Sequence, residues 1–203
     1  MKGIDVNTDR FTDRSPAGHF LALRIGFAFP VCEQNALPKA WIEQYSARGY
    51  VLSDPVMNWL YQSTGTTRWS EIEIDDPRDV LGQAKRFGMN YGVAICCADK
   101  GNSGHRSFGS FARSDREFLD AEIIDLAQHL REAHEALVPP SNLTRAELEA
   151  LGMVKNGLLM KEIADLLGVS EGAVKQRLKN AKFKLKAKTS THAATMATTF
   201  GLI

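Results

Sequence analysis

LTRAELEALGMVKNGLLMKEIADLLGVSEGAVKQRLKNAKFKLKAK, residues 143–188, is the stretch whose local chemistry is most complete. Thr144 followed by Glu147 is a capping box, which satisfies two free amide groups at a helix start. Leu148, Leu151 and Val154 recur on one face, and Gly157 supplies a stop. A short second helix is predicted from about Met160 to Leu167, with Ile163, Leu166 and Leu167 as its apolar stripe. Gly168 is a turn residue able to take a positive φ, and Ser170 is a good N-cap. The helix after it repeats Val174, Leu178, Ala181 and Leu185 at steps of four, three and four. Its other positions hold Lys175, Gln176, Arg177, Lys179, Asn180, Lys182, Lys184 and Lys186. Two helices joined by a tight turn, the second crowded with cations and amides, is the helix-turn-helix layout that fits the DNA major groove. Cap, turn, stripe and basic face share one frame, so a merely solvated basic helix is the weaker reading. Double-stranded DNA is the expected partner, contacted by Lys175, Gln176, Arg177, Lys179, Asn180, Lys182 and Lys186. Lys175 and Gln176 are assigned to base edges. Lys179, Lys182 and Lys186 are assigned to phosphates.

Working outward, charge divides the chain. Residues 141–203 hold ten Lys/Arg and five Asp/Glu, while the rest holds fifteen and nineteen. A basic C-terminal module on an acidic N-terminal one suits a sensor joined to a DNA reader. The expected domains are residues 1–137, a linker at 138–141 containing Pro139 and Pro140, and residues 142–203. No apolar run approaches the roughly 20 residues that span a membrane. The polar, mixed-charge start MKGIDVNTDRFTDR does not read as a signal peptide. Cys32, Cys96 and Cys97 are an odd count without zinc-type spacing, so they read as reduced thiols in the cytoplasm. The adjacent pair is expected to alternate between the two faces of a strand, as small core and surface residues; a redox pair is the alternative. No cofactor or metal is expected. No nucleophile–base–orienter set, phosphate loop or metal cluster is legible, which argues against an enzyme.

The first hundred residues read as mixed α and β. Strands are expected at 20–29, 91–98 and 103–112, and helices at 38–49, 54–63 and 80–88. A helix is expected over 115–137, where Leu119, Ile123, Leu126, Leu130, Ala133 and Leu137 form a seam. That seam is either packed on the domain's own sheet or a dimer contact.

At this point the residues carry a family resemblance. Leu143, Thr144 and Glu147, then Gly157, the Lys161–Ala164 run, and Asn180 to Leu185 match the DNA-binding pattern of the LuxR-type quorum-sensing regulators. The terminal GLI is also typical of that family, and part of the long helix resembles sigma-factor region four as well. Independently, Trp41, Tyr45, Asp54, Pro55, Trp69 and Gly92 match the family's sensor pattern in order and spacing. The resemblance spans nearly the whole chain. It implies an α+β fold: an α/β/α sandwich sensor domain on an antiparallel sheet, then an all-α four-helix helix-turn-helix domain. It implies an N-acyl homoserine lactone as ligand; a homodimer is expected because paired helix-turn-helix units read two half-sites about one helical turn apart. A buried Trp41 N–H would donate to the ring carbonyl of such a ligand, and Asp54 would accept from its amide. Tyr45 or Ser110 would donate to its acyl carbonyl, and Trp69 would pack on the head group. Structural readings stand beside these. Trp41 and Tyr45, one turn apart, are also an ordinary core pair, and Asp54 before Pro55 is also a plain N-cap.

The chain departs from the family pattern in three places. A first helix covering the sheet is expected to be missing or shortened. Arg106 and Phe108 stand where the family tends to have small or apolar residues lining a tail channel; the two share one strand face. Leu158, Leu159 and Met160 make the approach to the second DNA-domain helix unusually apolar. The expected function is a transcription regulator tuned by an acyl-homoserine-lactone-like or atypical small molecule. The alternative is a ligand-independent regulator, or a truncated antagonist that forms mixed dimers with a full-length relative.

Overall fold

The computed structural model describes residues 9–26, 29–99 and 104–203. They form two compact units, one ending at Leu137 and the other beginning at Val138. The N-terminal shortening inferred from the sequence falls largely on residues 1–8, outside the described residues.

The first unit is built on a five-stranded antiparallel sheet. Its strands are β1 (Gly18–Ile25), β2 (Pro30–Asn35), β3 (Gly65–Arg68), β4 (Tyr91–Ala98) and β5 (Arg106–Arg113), in the order β2-β1-β5-β4-β3. Helices cover both faces. The short α1 (Asp9–Thr12) and the long α5 (Asp120–Ala136) lie on one. On the other lie α2 (Lys39–Ala47), α3 (Pro55–Gln62) and α4 (Val80–Lys85). The fold is therefore the expected helix–sheet–helix sandwich. On β5, Phe108 and Ala112 pack toward α2–α4, while Phe111 stacks on Phe11 of α1 on the opposite face.

Several expectations are corrected. Cys96 and Cys97 alternate faces as predicted, but both are buried, because helices cover both faces of the sheet at β4. The 115–137 helix begins only at Asp120. The Glu122 carboxylate accepts the Leu119 N–H at 2.8 Å and also binds Arg113 and Arg116, which fixes the start there. Along α5, Ile123, Leu126, Leu130, Ala133 and Leu137 are buried, so this part of the seam is the unit's own core; Leu119 is exposed. Two strands had no sequence signal. β2 is an edge strand that opens on Pro30, and β3 is the four-residue GTTR without apolar alternation.

The second unit has α6 (Arg145–Lys155), α7 (Met160–Leu167), α8 (Glu171–Lys184) and α9 (Ser190–Thr199). The Thr144 capping box forms, Ser170 caps α8, and Gly157 and Gly168 take φ of 83° and 61°. The stripe Val174, Leu178, Ala181, Leu185 is buried against Leu151 and Ile163. Leu166 is 66% exposed, contrary to its predicted place in the stripe. Ala164 is buried instead, one position off the expected seam.

Glu147 is also buried, and Lys184 explains how. Its Nζ sits 2.8 and 2.9 Å from the two carboxylate oxygens and donates to the Asn142 carbonyl at 2.8 Å. Burial pushes the Glu147 acid up, but Lys184 and the Thr144 N–H more than offset this and hold it below the ordinary 4.5. Because the folded-state value is depressed, the stability this pair contributes is present above pH 4.5 and is lost as pH falls through the lower folded value. Lys184→Met, which strands a buried carboxylate, is expected to cost about 3 kcal/mol in denaturant unfolding at pH 7. The deficit should shrink in acid. A constant deficit from pH 7 to pH 3 would show that the pair is not its cause.

Candidate functional site

Between the sheet and α2–α4 lies a cavity of about 160 Å³. Its walls are largely apolar, among them Phe20, Leu37, Val56, Met57, Leu81 and Met89. Its polar groups are few: Tyr45, Asp54, Ser110, the Trp41 and Trp69 indoles, and Asn35 and Ser46 toward the α2 side. A small set of polar groups in an apolar hollow is the usual form of a small-molecule site.

Asp54 is placed by the start of α3. Its Oδ1 accepts the N–H groups of Val56 at 2.8 Å and Met57 at 3.4 Å, and Pro55 begins the helix without needing a donor. Its Oδ2 accepts the Tyr45 hydroxyl of α2 at 2.8 Å. Burial pushes the Asp54 acid above its ordinary value; the hydrogen bonds from Tyr45, Val56 and Met57 restrain the rise, and Asp76 adds to it. Burial and the Asp54 charge raise the Tyr45 phenol strongly, so Tyr45 stays a neutral donor. Trp41 stacks on Tyr50 with ring centroids 5.8 Å apart and meets Tyr45 edge-on at 5.5 Å. Arg78 lies over the outer Tyr50 ring. Trp69 lies flat on β4 where Gly92 leaves room; a Cβ there would come within 2.2 Å of the indole. The Trp69 Nε1 is buried and has no hydrogen-bond partner among the described residues.

On the second unit, Lys175, Gln176, Lys179 and Asn180 are exposed along α8, with Arg177 and Lys182 half-buried at its flanks. Gln176 donates to the Asn180 side-chain carbonyl at 2.8 Å, and Lys175 stands 4.0 Å from Glu171. Lys186 lies past the helix end, in a left-handed conformation at φ 52°. Phe183, 85% exposed, shares the outer face with Gln176 and Asn180.

The structure also assembles a serine–histidine–aspartate chain that the sequence did not suggest. Ser107 Oγ is 2.7 Å from His134 Nδ1, and His134 Nε2 is 2.8 Å from Asp99. Arg24 pairs with the same carboxylate, and its backbone N–H donates to Ser107 Oγ. Ser107 is fully buried and is not among the cavity-lining residues. The chain ties β1, β5 and α5 together and presents no nucleophile.

Residues 30–137 match the autoinducer binding domain, and residues 141–197 match the bacterial regulatory proteins of the luxR family. The chain belongs to the LuxR family of transcription regulators. It is similar to the quorum-sensing regulator RhlR of Pseudomonas aeruginosa, at 30% identity over 88% of this chain and 79% of that one. It is similar to the regulatory protein SdiA of Escherichia coli, at 27% identity over 82% and 74%. The transcriptional activator AnoR of Acinetobacter nosocomialis matches at 27% over 83% and 77%. Relatives and family models alike name transcription regulators, so this LuxR-family chain is a DNA-binding regulator with an autoinducer-binding domain, not an enzyme.

All five sensor residues singled out in the sequence, Trp41, Tyr45, Asp54, Trp69 and Ser110, line the one cavity. Tyr45, however, donates its hydroxyl hydrogen bond to Asp54, which leaves Ser110 as the uncommitted hydroxyl of the two among the described residues. Sequence reasoning missed the apolar wall. Phe20 and Ala22 alternate on β1, and Val56, Met57 and Leu60 share a face of α3, so strand and helix periodicity carried that signal. Gly92→Ala in this LuxR-family sensor is expected to push Trp69 off the sheet. It should cost about 1–3 kcal/mol by overpacking and shift the tryptophan emission. Unchanged stability and emission would mean that the indole does not depend on that glycine.

Proposed function

We propose that this regulator is cytoplasmic and homodimeric, and that it holds a small acyl-homoserine-lactone-like or related molecule in the sensor cavity. Residues 1–137 act as sensor, 138–141 as linker and 142–203 as DNA reader. One observation carries the ligand reading: a buried carboxylate and a buried indole N–H with no partner line the same largely apolar cavity. An unpaired buried polar group costs free energy; a ligand acceptor relieves the Trp69 N–H, which has no partner among the described residues, and a ligand donor adds to the hydrogen bonds that Asp54 already accepts. Asp54 Oδ2 has lone pairs left after Tyr45 and accepts a ligand N–H. Trp69, Trp41 and Ser110 donate to ligand carbonyls. Among the described residues no helix is long and apolar enough to cross a membrane.

On DNA, Lys175 and Gln176 read base edges, with Arg177 and Asn180 beside them. Lys179, Lys182 and Lys186 neutralise phosphates, and Lys184 is excluded by its bond to Glu147. Two protomers then read half-sites about 34 Å apart. A second reading, a ligand-independent regulator acting alone or in mixed dimers, is favoured by one observation. Tyr45 and Asp54 already satisfy each other.

Asp54→Asn separates the two, because the amide oxygen keeps the cap on Val56 and Met57 while the charge is lost. Melting of the wild type should rise with an acyl-homoserine lactone, and that of Asp54→Asn should not. A wild type that ignores every lactone yet binds its operator fully would leave the ligand-independent reading standing. For DNA, six phosphate contacts per dimer give a slope of log K against log salt of about −5. Lys179→Ala should lower its magnitude by about 2, one contact from each protomer. Gln176→Ala should relax preference at one base pair per half-site by about 1–3 kcal/mol. An equal loss on all sequences would remove Gln176 from base readout.

A further inference from the structure

The next step rests on reading the cavity as a small-molecule site. On the cavity face of β5 the side chains run Ser110, Phe108, Arg106, spaced by about 6.8 Å. Ser110 lines the cavity. Phe108 does not: it is 1% exposed and packs with Val56, Leu60, Ala22, Ala94 and Cys96 in the space between the sheet and α3. Phe20 lies 6.4 Å from its ring centre, and Tyr61 meets it edge-on at 5.3 Å. Beyond it, the Arg106 guanidinium donates to the Leu60 carbonyl at 2.7 Å and to that of Tyr61. Those are among the last carbonyls of α3, which have no acceptor role inside the helix and favour a cation. Arg106 thus fastens the end of α3 onto β5 and holds Tyr61 against Phe108. A ligand chain running from Ser110 along β5 meets first a packed ring and then a satisfied charge.

We infer that Phe108, held in place by Tyr61 and Arg106, is a stop that limits this site to compact ligands with a polar head and at most a short apolar chain. The head presents an N–H to Asp54 and an acceptor to the Trp69 indole. The volume agrees: about 160 Å³ is close to the roughly 150 Å³ hollow that admits a benzene ring elsewhere. Both side chains at 106 and 108 turn inward together, as their shared strand face requires, so the channel is filled rather than open.

The test compares ligand lengths on the full chain, with and without the stop. Melting midpoints are measured with N-butanoyl- and N-dodecanoyl-homoserine lactone. They are measured again with toluene and n-hexylbenzene, which probe length without a polar head. The wild type should be stabilised by the short member of each pair and not by the long one. Phe108→Ala should gain stabilisation by the long members; Phe108→Leu serves if the alanine variant does not fold. Alkylbenzenes following this order while neither lactone binds would uphold the stop and sink the polar-head reading. A wild type stabilised by a long member as strongly as by the short one would overturn the inference. So would a Phe108 variant with no gain for either long member.

Discussion

The three central strands, β1, β5 and β4, are buried on both faces, and that constrains the rest of the sensor unit. Each of these strands alternates with period two, so every second residue goes to one closed interior and its neighbours to the other. On β5, Phe108, Ser110 and Ala112 go to the cavity side, while Ser107, Gly109 and Phe111 go to the α5 side. Neither set has solvent to retreat to, so volume and polarity must match at each position. Gly109 is glycine because a Cβ would strike Phe111 and Leu21, and Gly92 because it would strike Trp69. Ser107 is tolerated because its hydroxyl is consumed by His134 and the Arg24 amide. The buried triad is a solution to this polar accounting, and its likeness to a hydrolase site follows from the same donor–acceptor logic without any chemistry.

The cavity wall depends on a second economy, the several uses of Asp54. One oxygen starts α3 and the other fixes Tyr45 on α2, so the two helices that roof the cavity are registered to one carboxylate. A plain N-cap and a binding residue look like rival readings of the same aspartate, yet the geometry leaves room for both, since the capping carboxylate also lines the cavity. The cap bonds orient the carboxyl and leave a syn or anti lone pair on Oδ2 for the cavity. Likewise Trp41 and Tyr45 are a helix-face core pair in their ring contact and cavity lining at the same time.

This explains what was legible in the chain. The DNA unit was readable almost position by position, because its signals are local: the Thr144 box, Gly168 at positive φ, Ser170, and the stripe from Val174 to Leu185. Where the reading slipped, at Leu166, the deciding fact was tertiary. Ala164 took the buried place, and the pairing of Lys184 with Glu147, 37 residues away in sequence, likewise had no local signal. In the sensor unit the polar residues of the cavity were legible only through the resemblance, since Trp41, Asp54, Trp69 and Ser110 come from four separate elements or their flanks. β2 and β3 were illegible because edge strands need no apolar alternation, and the start of α5 because the Glu122 carboxylate, shared by Leu119, Arg113 and Arg116, sets it. Period two did place Arg106 and Phe108 on one face, but only packing tells whether that face is full.

The buried carboxylate also sets how ligand and activity relate. A group that binds only the folded sensor stabilises it by RT ln(1 + [L]/Kd), about 2.7 kcal/mol at a hundredfold excess over Kd. Under the proposed reading, a ligand N–H at Asp54 would add to the hydrogen bonds that already offset the burial of this carboxylate. Stabilisation is not regulation, however. A ligand alters DNA affinity only by as much as it distinguishes the DNA-competent form from the other. A sensor that satisfies its own Asp54 through Tyr45 needs less help to fold than one with a bare carboxylate. Ligand dependence of folding and ligand dependence of DNA binding are therefore separate quantities in this chain. A weak thermal response to a compact ligand would be compatible with a strong regulatory one, provided the two forms present Asp54 and Trp69 differently.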